Sequence, residues 1–167
     1  PGRFERYFVQ DGPHEKLVII DYAHTAQSLK ATLKLIRELY PSKKICSVFG
    51  CGGNKSRAKR PMMGREASEL SDSVILTNDN PRDEKPERII DDIAAGVIGD
   101  FSVKIDRRDA IAEALEGDCD IILLAGKGAE EIYIDSSGQH LNRSDKTLLE
   151  RYCNRKKYKL IPYTEHI

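Results

Sequence analysis

Asp79-Asn80-Pro81-Arg82 stand just after the apolar run Ser73-Val74-Ile75-Leu76-Thr77, which reads as a buried strand. Two hydrogen-bonding side chains, a rigid proline and a guanidinium thus gather where a strand ends. That is the edge at which parallel α/β sheets bind ligands. Arg82 offers a planar fork for a carboxylate or phosphate, and Asp79 can accept from an ammonium. A ligand with both charges, such as an amino acid, suits the set. The same residues also suit a plain turn, because Asn-Pro is turn chemistry, with Arg82 a solvated charge.

Three other loops carry similar chemistry. In Asp21-Tyr22-Ala23-His24-Thr25, Asp21 can hold a ribose hydroxyl and His24 can donate to a nucleotide. The plainer alternative is that Asp21 and Thr25 cap a helix. Gly50-Cys51-Gly52-Gly53-Asn54-Lys55-Ser56-Arg57-Ala58-Lys59-Arg60-Pro61 joins a glycine turn to basic residues and a helix start, the makings of an anion site. It is not a Walker loop, since Lys55 stands where G-x-x-x-x-G-K-[ST] needs its second glycine. A solvated basic loop is the alternative. In Ala125-Gly126-Lys127-Gly128-Ala129-Glu130-Glu131, the glycines let a ligand approach the backbone and Glu130 can bind an ammonium. An ordinary exposed turn would look the same.

The elements that must position these loops alternate between strand and helix. Leu17–Asp21, Lys44–Gly50, Val74, Ser102–Ile105 and Ile121–Leu124 read as strands. Helices are expected over 26–40, from Pro61 to about Leu70, from Pro86 through Ile93 and Val97, and from Asp106 to Gly117. Ile121–Leu124 is apolar on both faces, which predicts a central strand. The fold class is therefore α/β and Rossmann-like. It has a mostly parallel sheet of about five or six strands, helices on both faces, and a small C-terminal hairpin over 131–142. Ser144 to Tyr152 reads as a last helix. Residues 1–153 are expected to form one domain, and 154–167 a tail without assigned structure.

Composition narrows the function classes. The 167 residues carry zero formal net charge with 32% charged residues, so no global positive field favours nucleic acid. No run of about 18 apolar residues suggests a membrane span, and no signal peptide is recognised. The four cysteines are widely spaced, Cys46 and Cys119 read as small buried hydrophobes, and a reducing cytosolic setting fits. The chain opens on Pro1-Gly2, as a piece of something longer would.

In this order, the four loops resemble the C-terminal domain of the Mur ligases, which join amino acids to the peptidoglycan precursor. The resemblance spans residues 1 to about 130. It is carried by Pro1-Gly2-Arg3, Asp21 to Thr25, Phe49 to Gly53, Lys59 to Gly64, Asp79 to Arg82, Asp106-Arg107 and Ala125 to Gly128. It implies a cytoplasmic bacterial, ATP-dependent amide ligase acting on UDP-N-acetylmuramoyl-L-alanyl-D-glutamate through an acyl phosphate. ATP and Mg would be held mainly by upstream domains. It implies that Lys55, Asp79, Asn80, Pro81, Arg82, Gly126 and Glu130 bind the amino acid, and that Arg3, Asp21, Tyr22 and His24 face the nucleotide. No catalytic or metal-binding residue is implied in this chain. Partners are those small molecules and the protein's own upstream domains, with no nucleic acid and no membrane.

In this family, Asp-Asn-Pro-Arg accompanies meso-diaminopimelate. Its far end has a carboxylate for Arg82 where lysine has only hydrogen, so lysine would leave the guanidinium unpaired. Lys55 and Ala129 depart from the family's usual Arg and His, and the loop Asn142-Arg143-Ser144-Asp145-Lys146 departs from its commoner acidic form, so no role is carried onto that loop. Lysine or another diamino acid is one alternative substrate. A non-catalytic Rossmann-like binding module is the alternative class. Without a phosphate loop, the chain alone is predicted to be inactive, and turnover of ATP with substrates by these 167 residues would contradict that.

Overall fold

The computed structural model describes residues 1–135 and 137–164. Ser136, in the expected hairpin turn, and 165–167 of the tail lie outside the described residues. The strands are β1 (Glu5–Asp11), β2 (His14–Asp21), β3 (Ile45–Phe49), β4 (Ser73–Leu76), β5 (Ser102–Val103), β6 (Ile121–Ala125), β7 (Ile132–Ile134), β8 (His140–Asn142) and β9 (Lys159–Pro162). The helices are α1 (Ala26–Leu39), α2 (Lys59–Leu70), α3 (Pro86–Ala94), α4 (Arg107–Glu116) and α5 (Asp145–Lys156).

One sheet has the order β5-β4-β3-β6-β2-β1-β9. β5, β4, β3, β6 and β2 run parallel, while β1 and β9 are antiparallel to their neighbours. The chain passes outward from β2 to β3, β4 and β5, then returns to β6 between β3 and β2. That return makes β6 the middle strand, as its apolar run predicts. It also opens a crevice at the carboxyl ends of the strands, where the direction of winding reverses.

Period-two alternation assigns the two cores. Val18, Ile20, Ile122 and Leu124 point to the face covered by α4 and α5. Leu17, Ile19, Ile121 and Leu123 point to the face covered by α1, α2 and α3. The caps are local and strong. Thr25 and Ser28 form a reciprocal capping box on α1, Asp106 accepts from the Arg108 N–H at 3.0 Å, and Ser144 accepts from the Thr147 N–H at 3.2 Å. Cys46, Cys119 and Cys153 are buried free thiols.

The sheet has seven strands rather than five or six, and the difference lies at one edge. β1 and β2 form a hairpin whose turn, Gly12-Pro13, has Gly12 at φ +58. β9 then adds to the outer side of β1, with Phe8 opposite Ile161. Residues 154–156 complete α5, and 159–162 form β9, so much of the expected tail is part of the fold. Lys157, at φ +60, makes the turn between α5 and β9.

A buried ion pair ties the second face together. Arg107, at the start of α4, grips Asp145, at the start of α5, through Nε–Oδ1 at 2.6 Å and Nη2–Oδ2 at 2.8 Å. Arg107 Nη2 also donates to the Ala125 carbonyl at the end of β6, 3.0 Å away. Burial opposes the Arg107 charge, but the Asp145 carboxylate, with Asp79 and Glu130 adding to it, keeps the pKa above its ordinary value. Asp145→Ala leaves that guanidinium buried and uncompensated. It is predicted to cost about 3–5 kcal/mol in urea unfolding; a loss below about 1 kcal/mol would mean that the pair is not structural.

Candidate functional site

The carboxyl ends of β2, β3, β4 and β6 bring the four loops around one cleft of about 540 Å³. Its construction starts from Gly53. A β-carbon there would sit 1.7 Å from the Pro81 carbonyl oxygen, so only glycine lets the loop after β3 lie on the loop after β4. Two bonds fasten the contact: the Gly53 N–H donates to the Asn80 carbonyl at 3.0 Å, and Arg82 Nη1 donates to the Gly53 carbonyl at 2.8 Å. Asn80 and Arg82 hold positive φ, +34 and +50. Such conformations cost side-chain-bearing residues free energy and persist where neighbours fix them.

Below this junction lies Arg60, only 1% exposed. Its Nη1 reaches Glu84 and Asp92 at 2.8 and 2.9 Å, and its Nη2 reaches Glu84 and the Gly52 carbonyl at 2.8 and 3.2 Å. Arg57 adds a two-pronged contact to Asp92. Glu84 also accepts from the Asn54 N–H at 2.8 Å. The Arg60 guanidinium holds the Glu84 carboxyl at about 2, and Arg57 with Arg60 keeps Asp92 below its ordinary value. Arg60 therefore clamps the glycine turn to the segment after Arg82 and does not present a free charge to the cleft.

The opposite wall comes from the loop after β6. Gly128, at φ +52, packs under the Tyr22 ring, where a β-carbon would lie 2.5 Å from Cδ2. Lys127, 3% exposed, donates from Nζ to the Ile132 carbonyl. Its Nζ lies 3.7 Å from Asp79 Oδ1 and 3.8 Å from Glu130 Oε2. A buried ammonium thus stands between the two acids that face the cleft. Cys51, on the cleft floor, has its thiol pushed up to about 12 by burial and stays neutral.

Eight of the residues singled out in the sequence line this cleft: Tyr22, His24, Lys55, Asp79, Asn80, Arg82, Gly126 and Glu130. Three do not. Pro81 is buried beneath Gly53 and shapes the junction. Asp21 accepts from the Phe4 N–H at 2.8 Å, the Ala23 N–H at 2.9 Å and the Thr32 hydroxyl at 3.3 Å, which gives it the structural work of holding the end of β2. Arg3 is exposed and lines a separate depression with Phe4 and Tyr163. His24 Nδ1 donates to the Tyr22 carbonyl at 2.8 Å, so its other ring nitrogen faces outward. Lys127 and Arg60 were not singled out, although both stand in loops that were. Among the described residues, no three carboxylate, imidazole or thiol groups converge as a metal ion needs. No described helix is long and apolar enough to cross a membrane.

Cationic and anionic groups therefore line one cleft. Arg82 and Lys55 can take a carboxylate, and Asp79 and Glu130 can take an ammonium. Residues 2–128 match the family described as Mur ligase, glutamate ligase domain. A UDP-N-acetylmuramoyl-L-alanyl-D-glutamate--2,6-diaminopimelate ligase from Chlorobaculum tepidum is 47% identical over 153 residues, 89% of this chain and 30% of the relative. A solved structure of a ligase of the same name superposes with a TM-score of 0.79 at 33% identity, covering 95% of this chain and 32% of the other. A bifunctional folylpolyglutamate synthase/dihydrofolate synthase from Yersinia pestis, complexed with AMPPNP and Mn, shares the fold with a TM-score of 0.55 at 18% identity over 75% of this chain and 28% of the other. The chain spans about 30% of the length of the relatives it matches.

The Arg60 clamp predicts an acid limit for the site. Glu84 has its pKa lowered from 4.5 to about 2. Its contribution to stability is present above the ordinary value and is lost as pH falls between those two values. Thermal midpoints measured against pH should show wild type above Glu84→Gln at neutral pH, with the gap closing across that window. A gap independent of pH would place the Glu84 effect elsewhere.

Proposed function

The chain belongs to the Mur ligase family, and on that premise we propose that it is the amino-acid-binding domain of an ATP-dependent ligase. The full-length protein adds meso-diaminopimelate to UDP-N-acetylmuramoyl-L-alanyl-D-glutamate in the bacterial cytoplasm. When bound, ATP with Mg supplies the phosphoryl group that activates the D-glutamate side-chain carboxyl. Both, and the muramoyl nucleotide, are held mainly by the protein's upstream domains, with Tyr22, His24 and the exposed Arg3 turned toward them. Asp21 supports that edge through the backbone it fastens.

The observation that carries the substrate class is Arg82. One of its nitrogens is fixed to the Gly53 carbonyl at the cleft wall, which aims the remaining donors at a ligand. Asp79 and Glu130 line the same cleft. One end of diaminopimelate, an ammonium and a carboxylate on one carbon, matches that pair of opposite charges. Binding that end leaves the other amino group free to attack the activated carboxyl. Asn80 and the backbone at Gly126 add neutral donors and acceptors. A lysine-adding enzyme is the second reading, favoured by Lys55. An ammonium there supplies charge to a substrate carboxylate but not the two-pronged geometry of arginine.

Arg82→Ala in the full-length protein is predicted to lower kcat/KM for diaminopimelate by roughly two to three orders of magnitude, the loss of a desolvated charge pair worth about 2–5 kcal/mol. Lysine, which leaves that guanidinium unpaired in the wild type, should be used at least as well by the variant as by the wild type. Unchanged kinetics with diaminopimelate would remove Arg82 from the site.

A further inference from the structure

We propose that Lys127 is a specificity-determining residue: it sets the net charge of the acidic end of the cleft, so that the site accepts a neutral, zwitterionic side-chain end and disfavours a cationic one. The inference rests on the ligand assignment above and deepens it. Lys127 is buried, with its ammonium 3.7 Å from Asp79 and 3.8 Å from Glu130. It is 3% exposed, against 12% for the Asp79 side chain and 56% for that of Glu130.

The balance of charge follows from these positions. Asp79 and Glu130 bring two negative charges, Lys127 cancels one, and Arg82 cancels the other. The ligand end that fits without disturbing this balance is itself neutral: one ammonium for the acids and one carboxylate for Arg82. A lone ammonium, as at the end of lysine, brings an unmatched positive charge into a cleft that already holds two cations. Arg107, buried within electrostatic reach of Asp79 and Glu130, is compensated by Asp145, so other charges do not alter the count close to the acids. Arg60 is compensated by Glu84 and Asp92. Cys51 stays neutral. Lys55, Lys59 and His24 are exposed, where solvent and salt weaken their effect.

Removing the Lys127 charge makes the cleft net negative and suits a cationic end. Removing the Glu130 charge has the opposite effect, and removing both restores neutrality. A residue that only supports the fold would lower the use of both amino acids together and could not produce opposite shifts.

The test uses the full-length protein and reads the ratio of kcat/KM for diaminopimelate to that for lysine. Lys127→Met should lower the ratio at least about tenfold, Glu130→Gln should raise it, and the double variant should return it to within about threefold of wild type. Unchanged ratios in both single variants, or a double variant no closer to wild type than Lys127→Met, would overturn the inference. Glu130 stands on the exposed rim, so Glu130→Gln carries the test if Lys127→Met does not fold, and a ratio that fails to rise then overturns it. A wild-type enzyme with no preference for diaminopimelate would instead overturn the functional reading itself.

Discussion

The site depends on the contact of Gly53 with the Pro81 peptide. There is no room for a β-carbon between them, so two loops from neighbouring strands become one wall. Everything chemical on that side hangs from this contact. Asn80 and Arg82 take up left-handed backbone around the buried proline, and Arg82 is turned so that one nitrogen meets the Gly53 carbonyl and the others remain for a ligand. The cost of that backbone is met by the bonds across the junction and by the Arg60 clamp beneath it. A ligand charge can then meet a side chain already in place, which spares the entropy of ordering it on binding.

Three arginines show how position decides what one side chain does. Arg107 is fully enclosed, held by Asp145 and the Ala125 carbonyl through Nε and Nη2, and it joins two helices to the end of β6. Arg60 is equally enclosed, but its partners belong to the segment that follows the Asp-Asn-Pro-Arg turn, so it fixes the shape of the site. Arg82 is exposed, tied by a single bond, and retains free donors. The chain's zero net charge hides this division, because charge balance is achieved locally, cluster by cluster.

Much of this was legible in the sequence where local chemistry was sufficient. The central β6, the Thr25 and Asp106 caps, and the gathering of four loops at one sheet edge all follow from runs, turns and alternation. The misses have physical causes. β1 and β9 sit at the sheet's edge, and their half-exposed residues carry no continuous apolar run, so pairing rather than pattern makes them strands. Lys127 lies in a Gly-Lys-Gly turn that reads as solvated, and its burial comes from β7 and the Ile132 carbonyl beyond it. Asp145 stands in a loop to which no role was assigned, and its partner Arg107 is 38 residues away. Asp21 was read either as a ligand for ribose or, with Thr25, as a helix cap; the Phe4 and Ala23 amides and the Thr32 hydroxyl bond to it, and Thr25 makes the cap.

The cleft as built asks for a ligand end that is both an acid and an amine, and the full-length protein offers the direct test. Supplied with ATP, Mg, the muramoyl dipeptide nucleotide and equal amounts of meso-diaminopimelate and lysine, it should form the diaminopimelate product in roughly hundredfold excess by mass spectrometry, as expected when the wrong substrate leaves the Arg82 charge unpaired in the closed cleft. A lysine product in equal or greater amount would contradict the account.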